Sequence, residues 1–277
     1  MFWQTTRFRI DLRTPQVMGI VNATPDSFSD GGRHAGTAAA LAHCEQLLKE
    51  GAHILDIGGE SSRPGAPRLS ADEEWQRIEG VLRGALSLGV PVSIDTCKAE
   101  LMRRAADLGV DILNDILALR DPGAEAVMLA HPQLGACLMH MRGDSGSMQS
   151  LTDYADVVAE VAQFLSERAQ ALRTKGVAAE RIVLDPGYGF AKTVEQNFEL
   201  LRRQAELKAL GYPLLAGLSR KSAIGVVTGR TVEQRLPGSL AAALLALSHG
   251  ARVLRVHDVA ATVDALQVWG AGGGAGA

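Results

Sequence analysis

The chain has 277 residues, 47 % hydrophobic and 21 % charged, with a formal net charge of −3 at pH 7. This is the balance of a globular protein that can bury a large core, which excludes a disordered chain. It also excludes a global attraction to nucleic acid or anionic membranes, so any anionic ligand must be held by local cations.

In chain order, Phe8, Ile10 and Leu12 alternate with polar or charged residues, predicting a short extra strand that plugs the bottom of the following sheet. Short apolar runs then predict strands at 17–21, 54–57, 90–94, 112–113, 136–139, 182–184, 214–218 and 253–256. Helical patterns fall at 37–50, 71–88, 99–108, 124–130, 153–175, 194–210, 239–249 and 259–268. Gly51, Gly89, Gly109, Gly176, Gly211 and Gly250 follow six of these as C-caps. Eight short strands alternating with helices imply parallel strands covered on the outside, and hence an α/β fold of the (β/α)8 TIM barrel type. One domain over 1–269 is expected, followed by a Gly/Ala tail at 270–277 too poor in apolar groups to order.

No uncharged apolar run reaches the roughly 18 residues of a membrane helix, and Arg7, Arg9 and Asp11 stand where a secretory leader needs apolar residues. A cytoplasmic protein is therefore expected. Cys44, Cys97 and Cys137 are odd in number, far apart and without CxxC spacing, which predicts reduced thiols in or near the core.

Barrel enzymes place their chemistry at the C-terminal ends of the strands. Those ends carry Asn22; Asp56, Glu60, Ser61, Ser62 and Arg63; Asp95; Asn114 and Asp115; His140; Asp185; Ser219, Arg220 and Lys221; and Arg255 with His257. Any one Asp or Asn there could merely cap the next helix, but together they predict a polar mouth.

The strings at these ends are NATPDSFSDGG (22–32), DIGGESSRPGA (56–66), SIDTCK (93–98), LNDI (113–116), LMHMRG (138–143), LDPGYGFAK (184–192), GLSRKS (217–222) and RVHDV (255–259). In content, order and spacing they resemble the dihydropteroate synthase family over 17–259. The resemblance implies a homodimer that condenses 6-hydroxymethyl-7,8-dihydropterin pyrophosphate with p-aminobenzoate, giving 7,8-dihydropteroate and pyrophosphate.

By carry-over, Asp185, Lys221 and Arg63 are the catalytic set. Asp185 would accept hydrogen bonds from the guanidine-like edge of the pterin, with Ser62, Asp95, Asn114, Lys221 and Arg255 completing that pocket. Asn22, Arg63, Arg255 and His257 would hold the pyrophosphate, the last three as cationic donors near the helix after strand eight. Arg255 could instead stack on the pterin face. Asn22 matches the protein ligand of a Mg²⁺ otherwise held by phosphates and water. Phe28, Pro64, Phe190 and Ser222, with the N-terminus of the helix Ser222 begins, would take p-aminobenzoate; Phe28 and Phe190 could instead anchor loops. Segments 22–36 and 58–68 are read as mobile lids.

An arylamine is largely neutral at pH 7, so none of the seven histidines need act as a general base. Ala23, Ser62, Tyr188 and Ala191 depart from the common family pattern. Tyr188 and Ala191 flank Phe190 and could alter affinity for sulfonamide mimics of p-aminobenzoate. Two rivals are a catalytically silent pterin-binding paralogue and a methyltetrahydrofolate-dependent methyltransferase acting on a corrinoid protein. The paralogue would be expected to lose Asn22, Arg63 or Lys221, and methyl transfer gives no reason for SRK plus RVH at a pyrophosphate site.

Overall fold

A computed structural model describes residues 1–23, 32–60, 68–144 and 146–274, the side chains of 32–35 excepted. Eight parallel strands close into a barrel. In chain order these are β3 (Gln16–Asn22), β4 (Ile54–Gly58), β5 (Val92–Asp95), β6 (Ile112–Asp115), β7 (Gly135–Met139), β8 (Ile182–Asp185), β9 (Leu214–Ala216) and β10 (Ala251–Val256), with β10 pairing β3 to complete the ring. The helices are α1 (Gly32–Lys49), α2 (Ala71–Ala85), α3 (Ala99–Leu108), α4 (Ala124–Ala130), α5 (Val157–Thr174), α6 (Val194–Arg203), α7 (Ser222–Thr228), α8 (Leu236–Ser248) and α9 (Val259–Ala271).

Local chemistry sets the helix ends. Ser70 with Glu73 and Thr193 with Gln196 form capping boxes that start α2 and α6. All six glycines read as C-caps have positive φ, between 77° and 99°. The runs expected to be helical to 88 and to 210 finish instead as 3₁₀ turns, Leu86–Leu88 and Gln204–Leu210. Helix α9 runs to Ala271, and 275–277 of the expected tail lie outside the described residues.

The two-residue period of the strands divides the core. Val17, Leu55, Ile57, Ile94, Leu113, Leu138, Leu184 and Leu254 face outward onto the helices. Met18, Ile54, Ile112, Cys137, Val183, Leu215 and Val253 face inward and fill the lower barrel. That inner cluster is closed from below by an N-terminal hairpin, β1 (Phe2–Gln4) antiparallel to β2 (Arg9–Asp11). The expected plug is thus two strands rather than one. Trp3 is its largest contribution, fully buried with its indole N–H donating to the Arg181 carbonyl at 3.1 Å. Phe8, expected to point into the plug, is only half-buried at its edge. With the floor sealed by apolar groups, the charged inward positions among the described residues gather toward the upper end.

Candidate active site

The inward register that carries Ile54, Ile112, Val183 and Val253 at the bottom carries Asp56, Asn114, Asp185 and Arg255 two residues further up. Asp95 lies beside Asn114 across β5 and β6, and beside Gly58 across β4 and β5. Asp56, fully buried, organises the group: its Oδ2 accepts from Arg255 Nε at 2.6 Å and from Asn114 Nδ2 at 3.0 Å. Arg255 also donates through a terminal nitrogen to Asp95 Oδ2 at 2.6 Å. Burial works against the Arg255 charge, but Asp56 and Asp95 outweigh it and hold the guanidinium above its ordinary value. Asp95 is pushed upward, chiefly by burial, with Arg255 opposing and Asp56 adding.

Asp185 is nearly buried, and its Oδ1 accepts from Gly187 N at 2.7 Å. Burial raises its pKa, and Gly187, Lys221 and Arg255 pull the other way. A buried carboxylate held at this cost is stabilised by any ligand that offers paired N–H donors. Gly217 lies beside Asp185, where a β-carbon would fall 4.0 Å from Oδ2. Lys221 caps the start of α7, and its ammonium lies 4.2 Å from the centre of the Phe190 ring. Burial, followed by the Arg255 charge, brings it down to about 8, so it remains a cation at neutral pH.

At the rim, Ser219 Oγ lies 3.0 Å from His257 Nδ1 and accepts from the His257 backbone N–H at 3.2 Å. Burial and the charges of Arg255 and Arg220 bring His257 down to about 4. Burial therefore works against the cationic form that the sequence suggests for it. Arg220 pairs with Asp258 at 2.5 Å, immediately before α9. Asn22 ends β3, exposed and in register with Gly58. Ser222 is exposed as the first residue of α7.

The structure thus gathers Asp95, Asn114, Asp185, Arg255, Lys221 and Phe190 at one mouth, with Asn22, His257 and Ser222 at its rim. Phe28, Ser62, Arg63 and Pro64, and most of both expected lids, lie outside the described residues. Three expectations fail on strand parity or turn geometry. His140 follows inward-facing Met139, so it points away from the axis and packs edge-on against Phe164 at 5.0 Å. Asp115 faces outward and caps a turn, accepting from Leu117 and Leu119 backbone N–H groups. Tyr188 sits in the outer core with its hydroxyl donating to Gln204 at 2.7 Å, so it does not line the Phe190 side. Unanticipated participants are Asp56 as counter-ion, Met139 and Met141 packed with Phe190, and Lys192, whose ammonium touches His140.

His140 has a pH consequence. Burial, with Lys192 and Arg142 adding, pushes it down to about 2. The unfolded chain protonates it near its ordinary value and the folded chain does not, so its contribution to stability is lost as pH falls. Relative to a His140→Phe variant, wild-type stability should drop by about 1.4 kcal/mol per pH unit below about 6.5. Urea unfolding at pH 6 and pH 5 checks this, and parallel curves for the two proteins would refute it.

The mouth thus sets carboxylates and an amide, which accept hydrogen bonds, beside two cations. Comparison with known proteins agrees. The "Pterin binding enzyme" family pattern matches residues 18–257. A dihydropteroate synthase of Neisseria meningitidis serogroup C is 53 % identical over 271 residues, covering 96 % of each chain. Dihydropteroate synthase of Xanthomonas albilineans with 4-aminobenzoic acid superposes with TM-score 0.90 at 49 % identity, covering 96 % of this chain and 95 % of that one. The enzyme from the same organism in complex with 7,8-dihydropteroate gives 0.89 at 45 %, covering 99 % of both.

Proposed function

We infer the reaction from the family: the chain belongs to the pterin-binding enzymes and catalyses dihydropteroate synthesis in the folate pathway. It transfers a dihydropterin methylene group from 6-hydroxymethyl-7,8-dihydropterin pyrophosphate to the amine of p-aminobenzoate, releasing pyrophosphate. The observation that carries this reading is the meeting at one mouth of buried Asp185 and Asn114 and half-buried Asp95 with Lys221 and Arg255.

Asp185 accepts from the 2-amino group and ring N–H of the pterin, and Asn114 and Asp95 take the remaining ring nitrogens. Lys221 donates toward the carbonyl and N5 side, where charge redistributes as the C–O bond to pyrophosphate breaks. Arg255, held by Asp56 and Asp95, offers a planar guanidinium that suits either the pterin face or a phosphate. Arg63 and His257 add donors to the leaving group, and Ser62 contacts the pterin. Bond breaking precedes attack: the electron-rich dihydropterin supports a methylene cation, and the neutral arylamine adds without a general base. The low proton affinities of His140 and His257 suit that scheme. Phe190, Phe28 and Pro64 offer apolar walls for p-aminobenzoate and for sulfonamides that mimic it, and Ser222 with the start of α7 offers donors to its carboxylate.

Asn22 is exposed at the end of β3, and its side chain carries an amide oxygen, the hard neutral donor that Mg²⁺ accepts. When bound with the pyrophosphate, Mg²⁺ would neutralise charge on the leaving group. Chelation with EDTA should lower turnover at least about 100-fold while leaving the affinity for a pterin lacking pyrophosphate unchanged. The test of function is formation of dihydropteroate and pyrophosphate in a one-to-one ratio from the two substrates. Pyrophosphate without dihydropteroate would contradict it.

A homodimer is the assembly we propose. Val226 and Val227 on α7 are 68 % and 64 % exposed, Leu245 on α8 49 %, and Val268 on α9 74 %, an apolar series across consecutive helices. Sedimentation should give twice the 29.3 kDa chain mass, and a 29.3 kDa species at micromolar concentration would oppose it. A cytoplasmic location is supported by three unpaired cysteines, Cys44 and Cys137 of them buried. Among the described residues no helix is long and apolar enough to cross a membrane.

A further inference from the structure

We propose that Lys192 is a positioning residue for both substrate pockets, a clamp that fixes the loop between Asp185 and Phe190; the inference rests on the reading of the mouth given above. Lys192 is buried. Its ammonium donates to His140 Nδ1 at 3.0 Å, to the Gly187 carbonyl at 2.9 Å and to the Phe190 carbonyl at 3.1 Å. Three acceptors match the three N–H bonds of a lysine. His140 stays neutral, so its Nδ1 keeps the lone pair this contact requires.

The loop is shaped for the cation. Gly187, Gly189 and Ala191 have φ of 73°, 80° and 49°, and this alternation of left-handed residues turns the carbonyls of 187 and 190 inward onto one point. Gly187 also lies so close to β7 that a β-carbon would fall 2.0 Å from the His140 carbonyl oxygen. The backbone is therefore pressed against the end of β7, and the ammonium fastens it there.

Each loop atom that Lys192 fixes is adjacent to an atom that faces substrate. The peptide N–H of Gly187 orients Asp185, the acceptor for the pterin edge. Phe190, held through its carbonyl, presents its ring to Lys221. Asn197 secures the same loop from α6, its Oδ1 accepting from Gly189 N at 2.6 Å, so the loop has two anchors, a neutral amide and the Lys192 ammonium, whose pKa burial brings down to about 7. Releasing the charged one frees Asp185 and Phe190 together without removing a group that touches a reacting atom.

The test uses the full chain with Lys192→Met, which keeps the length of the side chain, and His140→Phe, which keeps the packing on Phe164 and removes one acceptor. Because the ammonium acts through position, Lys192→Met should raise the pterin Kd and the KM for p-aminobenzoate about tenfold each and change kcat less than about threefold. Hydrogen exchange across 186–191 should accelerate while the melting temperature holds. His140→Phe should show the same split at about threefold, and the double variant should be no worse than Lys192→Met within about twofold, since both act on one contact. Wild-type binding and turnover with Kd, KM and loop exchange unchanged in both variants would overturn the clamp alone. Should Lys192→Met fail to fold, His140→Phe decides by the same criteria. A wild-type chain that binds no pterin would overturn the reading of the mouth, and the clamp with it.

Discussion

Replacing Asp185 with alanine is expected to weaken binding of the dihydropterin by roughly 30- to 4000-fold, the equivalent of about 2–5 kcal/mol for truncating one side of a buried, charge-assisted contact. The same change should leave the fold intact or slightly more stable. Asp185 is a carboxylate whose pKa burial has raised, so keeping it ionised at neutral pH costs folding free energy that alanine does not. Asp185→Asn sharpens the test. It preserves shape but presents an N–H₂ group where acceptors are needed, so it should bind pterin as poorly as alanine does. Isothermal titration with a pterin, alongside thermal melts, separates the two effects. Affinity within threefold of wild type would remove Asp185 from its assigned role.

Lys221→Ala should reduce kcat/KM by about 10²- to 10³-fold, the usual cost of deleting one preorganised donor from a site where charge develops. Pterin affinity should fall much less, because Asp185, Asn114 and Asp95 remain. Lys221→Arg is not expected to restore activity. A β-carbon at Gly189 would lie 3.0 Å from Lys221 Cδ, so the stem already runs tightly along that loop and a planar guanidinium has little room to turn. Steady-state kinetics of the three proteins test this, and kcat/KM within tenfold of wild type for either variant would count against it.

Much of the barrel was legible because its strands obey two simple rules. Apolar runs bounded by glycine C-caps mark where each strand and helix ends, and a polar residue at the end of each run marks the mouth. What those rules leave undetermined is which face of the strand a terminal residue takes. Asn114 and Asp115 are neighbours in sequence, yet one binds Asp56 inside the barrel and the other caps a turn outside it. Had the inward register of Ile112 been counted forward by twos, Asp115 would have been placed outside. The same count from Cys137 selects Met139 and rejects His140. The strings place Asp56 at the mouth and contain Lys192, but they do not disclose what either binds, because the partners Arg255 and His140 are distant in sequence and meet them only in the closed barrel. The N-terminal hairpin escaped for a related reason: Trp3 lies outside the alternating run, and its burial depends on a carbonyl at position 181.

The most direct test of the central claim is pyrophosphate release from the purified protein given dihydropterin pyrophosphate and Mg²⁺, with and without p-aminobenzoate, beside the Lys221→Ala variant. The account predicts release that depends on p-aminobenzoate, yields dihydropteroate and collapses in the variant. Tight pterin binding without turnover in the wild-type protein would contradict it and point to a binding protein that has kept the pocket and lost the chemistry.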